Sequence, residues 1–153
     1  MNEIIVILIA GVLGTLGFSL LFKVNLRHIP TAMFGGLVSC SIYLALDVLG
    51  ANPFVSNFFA MLIAALVSEI LARVFKAPTA IFLLPCTIPL VPGRGLYFTM
   101  SSLISENYDA MILYGKSTLL TALGIAAGMI VASAVWTMVM HLASKKKTQQ
   151  NPD

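Results

Sequence analysis

Long apolar runs, separated by short polar or proline- and glycine-rich junctions, organise this chain. Four of them, about Ile4 to Phe22, Thr31 to Leu49, Phe54 to Phe75 and Thr118 to Leu142, are each close to the ~20 residues that carry a helix across ~30 Å of hydrocarbon. A fifth run, Ala80 to Val91, is too short to span by itself. Beyond it lie a break rich in proline and glycine and a further apolar stretch, Leu96 to Ile104. Joined, the two pieces supply the length of one discontinuous span. The pattern predicts an all-α integral membrane protein of about five transmembrane helices, the fourth discontinuous at the Pro-Gly break. It forms a single transmembrane domain over residues 1–143. Residues 144–153, which include Lys145, Lys146 and Lys147, read as a disordered cytoplasmic tail.

The break itself, Ile88-Pro89-Leu90-Val91-Pro92-Gly93-Arg94-Gly95-Leu96-Tyr97, is the most informative stretch. Pro89 and Pro92 remove backbone donors, while Gly93 and Gly95 relax the steric limits on the chain. Inside a membrane such an interruption is tolerated only where the freed backbone is buried in protein or lines a wet cavity. Interrupted spans of this sort mark binding sites in transporters.

Composition supports a membrane location. Only 10% of the 153 residues are charged and 59% are hydrophobic, against about 25% charged in soluble domains. The net charge of +3 is scattered at the ends of apolar runs, which argues for membrane orientation and against nucleic-acid binding. With five spans, Lys23, Arg27 and His28, then Arg73 and Lys76, then Lys145 to Lys147 all fall on one side, the cytoplasmic one. The N-terminus and the Gly50-Ala51-Asn52-Pro53 turn then face outward, in a multi-pass protein of the inner (cytoplasmic) membrane. A four-span form with a re-entrant fourth segment would separate the last cluster from the other two. Arg94 and Lys116 depart from the charge pattern. The first run begins Met1-Asn2-Glu3 without a basic leader, so it reads as a retained helix and not as a cleaved signal.

Small residues recur on several helices. Gly124, Gly128 and Ala132 repeat every fourth residue, Gly11, Gly14 and Gly17 every third, and Ala32, Gly36 and Cys40 every fourth. Such faces let helix backbones approach closely, within the bundle or against a second subunit. Cys40 and Cys86 lie in apolar runs and read as small buried hydrophobes. No metal site, cofactor motif, nucleotide loop or catalytic triad is evident, and the chain does not read as an enzyme.

Few groups remain for chemistry. Glu69 and Asp47 are acidic residues within helical runs, where ionisable groups are costly. Glu69 has Arg73 four residues on, so it is either half of a structural ion pair or a proton-coupling group. Asp47 lies one turn from its helix end and His28 beside the first basic cluster; Glu106 and Asp109 read as loop residues. Arg94 follows the break, just before a half-helix expected to begin near Leu96. There it either joins the helix N-terminus in binding a carboxylate or snorkels to the headgroups. Tyr97 could add a hydroxyl.

The pattern P-x-x-P-G-x-x-x-Y, carried here by Pro89, Pro92, Gly93 and Tyr97 after a short apolar run, resembles the threonine/serine exporter family. The chain is similar to its small-subunit branch, which corresponds to the C-terminal membrane portion of the fused exporters, over about Ile4 to Leu142. The resemblance implies an inner-membrane exporter of small carboxylate metabolites, threonine and serine in fused members and succinate in a split one. It also implies a larger homologous membrane partner, with self-association as the alternative, and a translocation path shaped by Pro89, Pro92, Gly93 and Tyr97. Arg94 is not part of the family pattern, and other members have small or apolar residues there. A different class of function, a non-transporting accessory or assembly subunit of another complex, would use the same small-residue faces but leaves the broken helix without a purpose.

Overall fold

The computed structural model describes residues 2–149, and among these the secondary structure is entirely helical. Helices α1 (Asn2–Leu21), α2 (Ile29–Val48) and α3 (Pro53–Val74) form an up-down-up array. The interrupted span follows: α4 (Thr79–Thr87), a single 3-10 turn (Ile88–Leu90), and α5 (Gly93–Ile104). The last helix is α6 (Tyr108–Gln149). Among the described residues four helices are long and apolar enough to cross a membrane, and a fifth span results if the two halves around the break, bent by 47°, count as one.

Three boundaries differ from the sequence expectation. Helix α5 begins at Gly93 and not near Leu96, so Arg94 lies in its first turn. Helix α6 begins at Tyr108, well before Thr118. Asn107 caps it by accepting a hydrogen bond from the Ala110 N–H at 3.2 Å, and Asp109 sits in its first turn, where an acid suits the helix dipole. Asp109 is therefore a helix-start residue and not part of a loop. At the other end, α6 runs through Lys145 to Lys147 as far as Gln149, where an irregular tail was expected; residues 150–153 lie outside the described residues.

Four helices share one C-terminal device. In α1, α2, α3 and α5 the chain closes with a paired hydrogen-bond pattern around a residue of positive φ: Lys23, Gly50, Lys76 and Glu106. At the first, Val24 N–H donates to the Ser19 carbonyl at 2.9 Å and Lys23 N–H to the Leu20 carbonyl at 3.0 Å. This is a Schellman closure, and glycine meets its left-handed conformation most easily. Glu106, at φ 55°, carries both the left-handed cost and a negative charge at a helix C-terminus. Glu106→Gly is therefore expected to stabilise the protein by about 1 kcal/mol, seen as a higher Tm in detergent.

The core is built from small side chains. Ala60, Met61, Ala65, Leu90 and Ala132 form one buried cluster, and Ala32, Ala72 and Phe82 another. Gly124 and Gly128 bring α6 onto α3: a Cβ at Gly124 would lie 2.5 Å from the Phe54 carbonyl oxygen, and one at Gly128 2.6 Å from that of Phe58. This register makes α3 and α6 parallel, and the fourth-residue repeat is occupied inside the chain. Gly11 sits against Cys40 and Pro89, and Gly14 makes only ordinary contact with Ile88. Gly17, the third member of that repeat, faces open space. Gly35 and Gly36 receive the Cys86 thiol and the Thr15 hydroxyl, so both cysteines are buried and unpaired between helices.

Buried hydroxyls are satisfied mostly within their own helices, as with Thr15 to the Gly11 carbonyl (2.9 Å) and Ser19 to that of Thr15 (2.7 Å). Ser39 also crosses to the Cys86 carbonyl at 3.0 Å, meeting a backbone acceptor close to the proline break.

Because Gly124 meets Phe54 near the start of α3, the segment of α6 from Tyr108 to Leu123 extends past that end of α3. At 1.5 Å per residue the overhang is about 24 Å. Helix α5, which contains no buried residue, packs along this overhang. The apolar part of α6, Tyr108–Leu142, is 35 residues long. Its length of about 50 Å exceeds the ~30 Å hydrocarbon layer.

Candidate functional site

A cavity of about 370 Å³ opens where the α5–α6 hairpin leaves the body of the bundle. Its floor is the break, Pro89 to Gly95. Tyr43 from α2 and Asn57 from α3 line one side, and Phe98 with Tyr114, Ser117, Thr118 and Thr121 from the α5–α6 hairpin line the other. Its volume is within the usual range for small-molecule sites. The interrupted span creates it: Pro89 and Pro92 stop the α4 segment short, and the 47° bend carries α5 away from α3.

Among the described residues Arg94 is the single charged residue in the lining. Its guanidinium lies over the ring of Phe98, one turn further along α5 and also part of the lining, 5.5 Å from the centroid. The backbone adds to it. Among the described residues the N–H groups of Arg94 and Gly95 have no backbone partner, because the α5 ladder begins with Leu96 N–H to the Pro92 carbonyl at 3.0 Å. Free N–H groups, a partial positive dipole and a guanidinium thus belong to one cavity lining, a set of groups suited to a carboxylate.

Gly95 sets the spacing of the hairpin. A Cβ there would run into the Thr118 hydroxyl, which is held by its own bond to the Tyr114 carbonyl at 2.7 Å. A Cβ at Gly93 would meet nothing within 4 Å. Gly93→Ala is therefore expected to leave transport and stability within about twofold and 1 kcal/mol. Gly95→Val should force α5 off α6 and abolish transport while protein still reaches the membrane. Efflux assays with quantified membrane protein would check the pair.

The structure brings Pro89, Pro92, Gly93 and Arg94 together at this cavity, but not the other sequence candidates. Tyr97 points away, 68% exposed with its ring against Phe98, so its hydroxyl does not reach the lining. Asp47 is exposed, one turn beyond Tyr43. Glu69 lies about 18 Å further along α3 than Asn57, in a separate shallow depression with Arg73, Lys76 and Thr79. The expected Glu69–Arg73 ion pair does not form: the Arg73 guanidinium lies 4.9 Å from the centroid of the Trp136 ring instead. His28 packs edge-on against Phe75 and Phe82, at 5.1 and 5.6 Å, in a partly buried setting.

Sequence reasoning missed Tyr43, Asn57 and the polar stripe of α6. Tyr114, Ser117, Thr118 and Thr121 recur at third- and fourth-residue spacing, a polar face on an apolar helix. The stripe becomes legible once Asn107 and Asp109 are read as the start of a helix.

Residues 7–135 match the family described as threonine/serine exporter, ThrE, and that match spans most of the chain. The chain belongs to the threonine/serine exporter family. No match was found among curated proteins or among solved structures. As a member of a transporter family, the chain is a multi-pass membrane protein of exporter type, and the break that forms the cavity floor carries the pattern by which it resembled that family.

Proposed function

We propose that this chain is a membrane subunit that exports small carboxylate metabolites, threonine or serine or a dicarboxylate such as succinate, through the cavity at the broken span. The observation that carries the reading is that Arg94, the one charge of the lining among the described residues, shares that lining with the free N–H groups at the start of α5. Helix ends meeting at an interrupted span are a recurrent solution for anionic substrates in transporters. In this reading the chain belongs to the small-subunit branch of the family. It sits in the inner membrane with its N-terminus outside and its C-terminus in the cytoplasm, and it works with a larger homologous membrane partner.

The test is efflux of labelled threonine, serine and succinate from preloaded cells, comparing this chain alone with this chain plus the larger partner. Efflux only with both establishes a two-component exporter; efflux with the chain alone establishes a self-sufficient oligomer. No efflux of any of the three, with both proteins present in the membrane, removes the reading.

Coupling to the proton gradient through Glu69 is part of the proposal, since a carboxyl within a span is costly unless it has a role. Glu69→Gln is expected to flatten the pH dependence of efflux. Undiminished pH dependence in that variant would remove the coupling.

A further inference from the structure

We infer that α4 is a moving barrier: it closes the cavity off from the opposite face of the bundle, and it swings away from α2 to connect the two. The inference rests on the export reading and concerns how substrate reaches the cavity.

Two hollows lie at opposite ends of α4. The cavity takes Pro89 and Leu90, just beyond its C-terminal end, and the depression with Arg73 and Lys76 takes Pro78 and Thr79 at its start. By helix rise the two are about 15 Å apart. No residue from Ala80 to Ile88 lines either one. That stretch is packed between α2 and α3, with Phe82, the largest fully buried side chain among the described residues, against Ala32 and Ala72. A passage between the hollows opens only if this packing parts.

The sequence makes α4 the helix least able to hold itself. It has nine residues and no side-chain cap at Pro78. Pro85 and Pro89 lack N–H groups, so the Ile81 and Pro85 carbonyls lose their helical donors. It also lacks the Schellman closure that ends α1, α2, α3 and α5, and runs instead into the 3-10 turn. Its shape is therefore set by its neighbours. Prolines stand at both of its ends, and a hinge needs only a few residues at the end of an element.

The two neighbours hold α4 differently. Four residues join it to α3, and Ala77 N–H closes that junction on the Ala72 carbonyl at 2.9 Å. Helix α2 has no such junction with it. The Cys86 thiol seats against Gly35, where a Cβ would run into it, and lies 3.7 Å from the Ala32 carbonyl. Ser39 Oγ lies 3.0 Å from the Cys86 carbonyl and 2.9 Å from that of Gly36 in its own helix. One proton serves both acceptors, so on departure of α4 it stays with Gly36 and no donor on α2 is stranded. The α2–α4 contact is thus the seam that parts.

The experiment tethers that seam. A Cβ at Gly35 would lie 3.9 Å from that of Cys86, and one at Gly11 3.6 Å from that of Cys40, both separations that a disulfide bridges. Gly35→Cys in a Cys40→Ala chain therefore ties α4 to α2, and Gly11→Cys in the otherwise native chain ties α1 to α2. Efflux of labelled threonine, serine and succinate is followed in cells carrying the full chain, with its larger partner where efflux requires it. Each variant is compared with itself after a mild oxidant and again after dithiothreitol, with bond formation quantified on the protein. The α2–α4 bond should lower efflux at least about tenfold, and reduction should restore it. The α1–α2 bond should change efflux less than about twofold. Efflux that continues with the α2–α4 bond complete, or equal arrest by the two bonds, overturns the inference. If reduced Gly35→Cys protein does not export, alkylation of Cys86 by N-ethylmaleimide in the Cys40→Ala protein decides. Cys86, 0% exposed here, should react at least about threefold faster during export than without substrate, and equal rates overturn the inference. A native protein that exports none of the three compounds removes the export reading itself, and this inference with it.

Discussion

Gly124→Leu is expected to prevent stable pairing of α3 with α6, costing at least about 3 kcal/mol, the upper part of the usual overpacking range. The obstacle is backbone. The first atom added at Gly124 would stand 2.5 Å from the Phe54 carbonyl oxygen and 3.2 Å from the Phe58 nitrogen, neither of which can turn aside as a side chain does. Relief requires the two helices to separate along their contact, and Gly128, where a Cβ would stand 2.6 Å from the Phe58 carbonyl oxygen, would lose its fit with them. Helices in lipid associate through close packing with no hydrophobic drive to compensate, so lost proximity is felt directly. Thermal unfolding in detergent and the yield of monodisperse protein measure the effect. Gly17→Leu is the control: no atom lies within 4 Å of a Cβ there, and its stability should stay within about 0.5 kcal/mol of the native value. An unaffected Gly124→Leu protein would mean that the α3–α6 contact is not what holds the bundle.

Arg94→Gln should reduce carboxylate efflux at limiting substrate by about 10- to 100-fold. Charge-assisted hydrogen bonds contribute roughly 1.5–3 kcal/mol, and about 1.4 kcal/mol corresponds to a factor of ten. The loss should appear in the concentration dependence, with membrane levels unchanged, because Arg94 is exposed and its ring contact with Phe98 contributes about 0.5–1 kcal/mol. Arg94→Lys should recover part of the rate, since lysine restores the charge but not the planar pair of donors. Lys116, exposed and outside the lining, supplies the comparison: Lys116→Gln should retain full efflux. Equal losses at both positions would point to general surface charge and away from a substrate contact.

Much of the architecture follows from one-dimensional information. Span length is a property of contiguous sequence, so the apolar runs placed α1, α2 and α3 within a few residues of their ends. The break was equally legible, because Pro89 and Pro92 cannot complete a helical ladder wherever they sit. The start of α6 was also written locally, in Asn107 and Asp109, but the charges of Asp109 and Lys116 masked a helix whose apolar face is only partial there.

Pairing between distant segments was another matter. The spacing of Gly124, Gly128 and Ala132 announced a close-packing face without naming its partner, and the same rule applied to Gly17 meets no neighbour within this chain. Glu69 and Arg73 stand at the right separation for an ion pair, yet Trp136, more than 60 residues further along the chain, takes the guanidinium. The sequence by itself determined a helical membrane protein with one interrupted span bearing the exporter motif, because hydropathy, proline and glycine act through the local backbone. Tertiary structure decided that Asn57, Arg94 and the α6 stripe face one cavity while Tyr97, Asp47 and Glu69 do not, because that depends on helix register and rotation, which are set by packing between segments far apart in the chain.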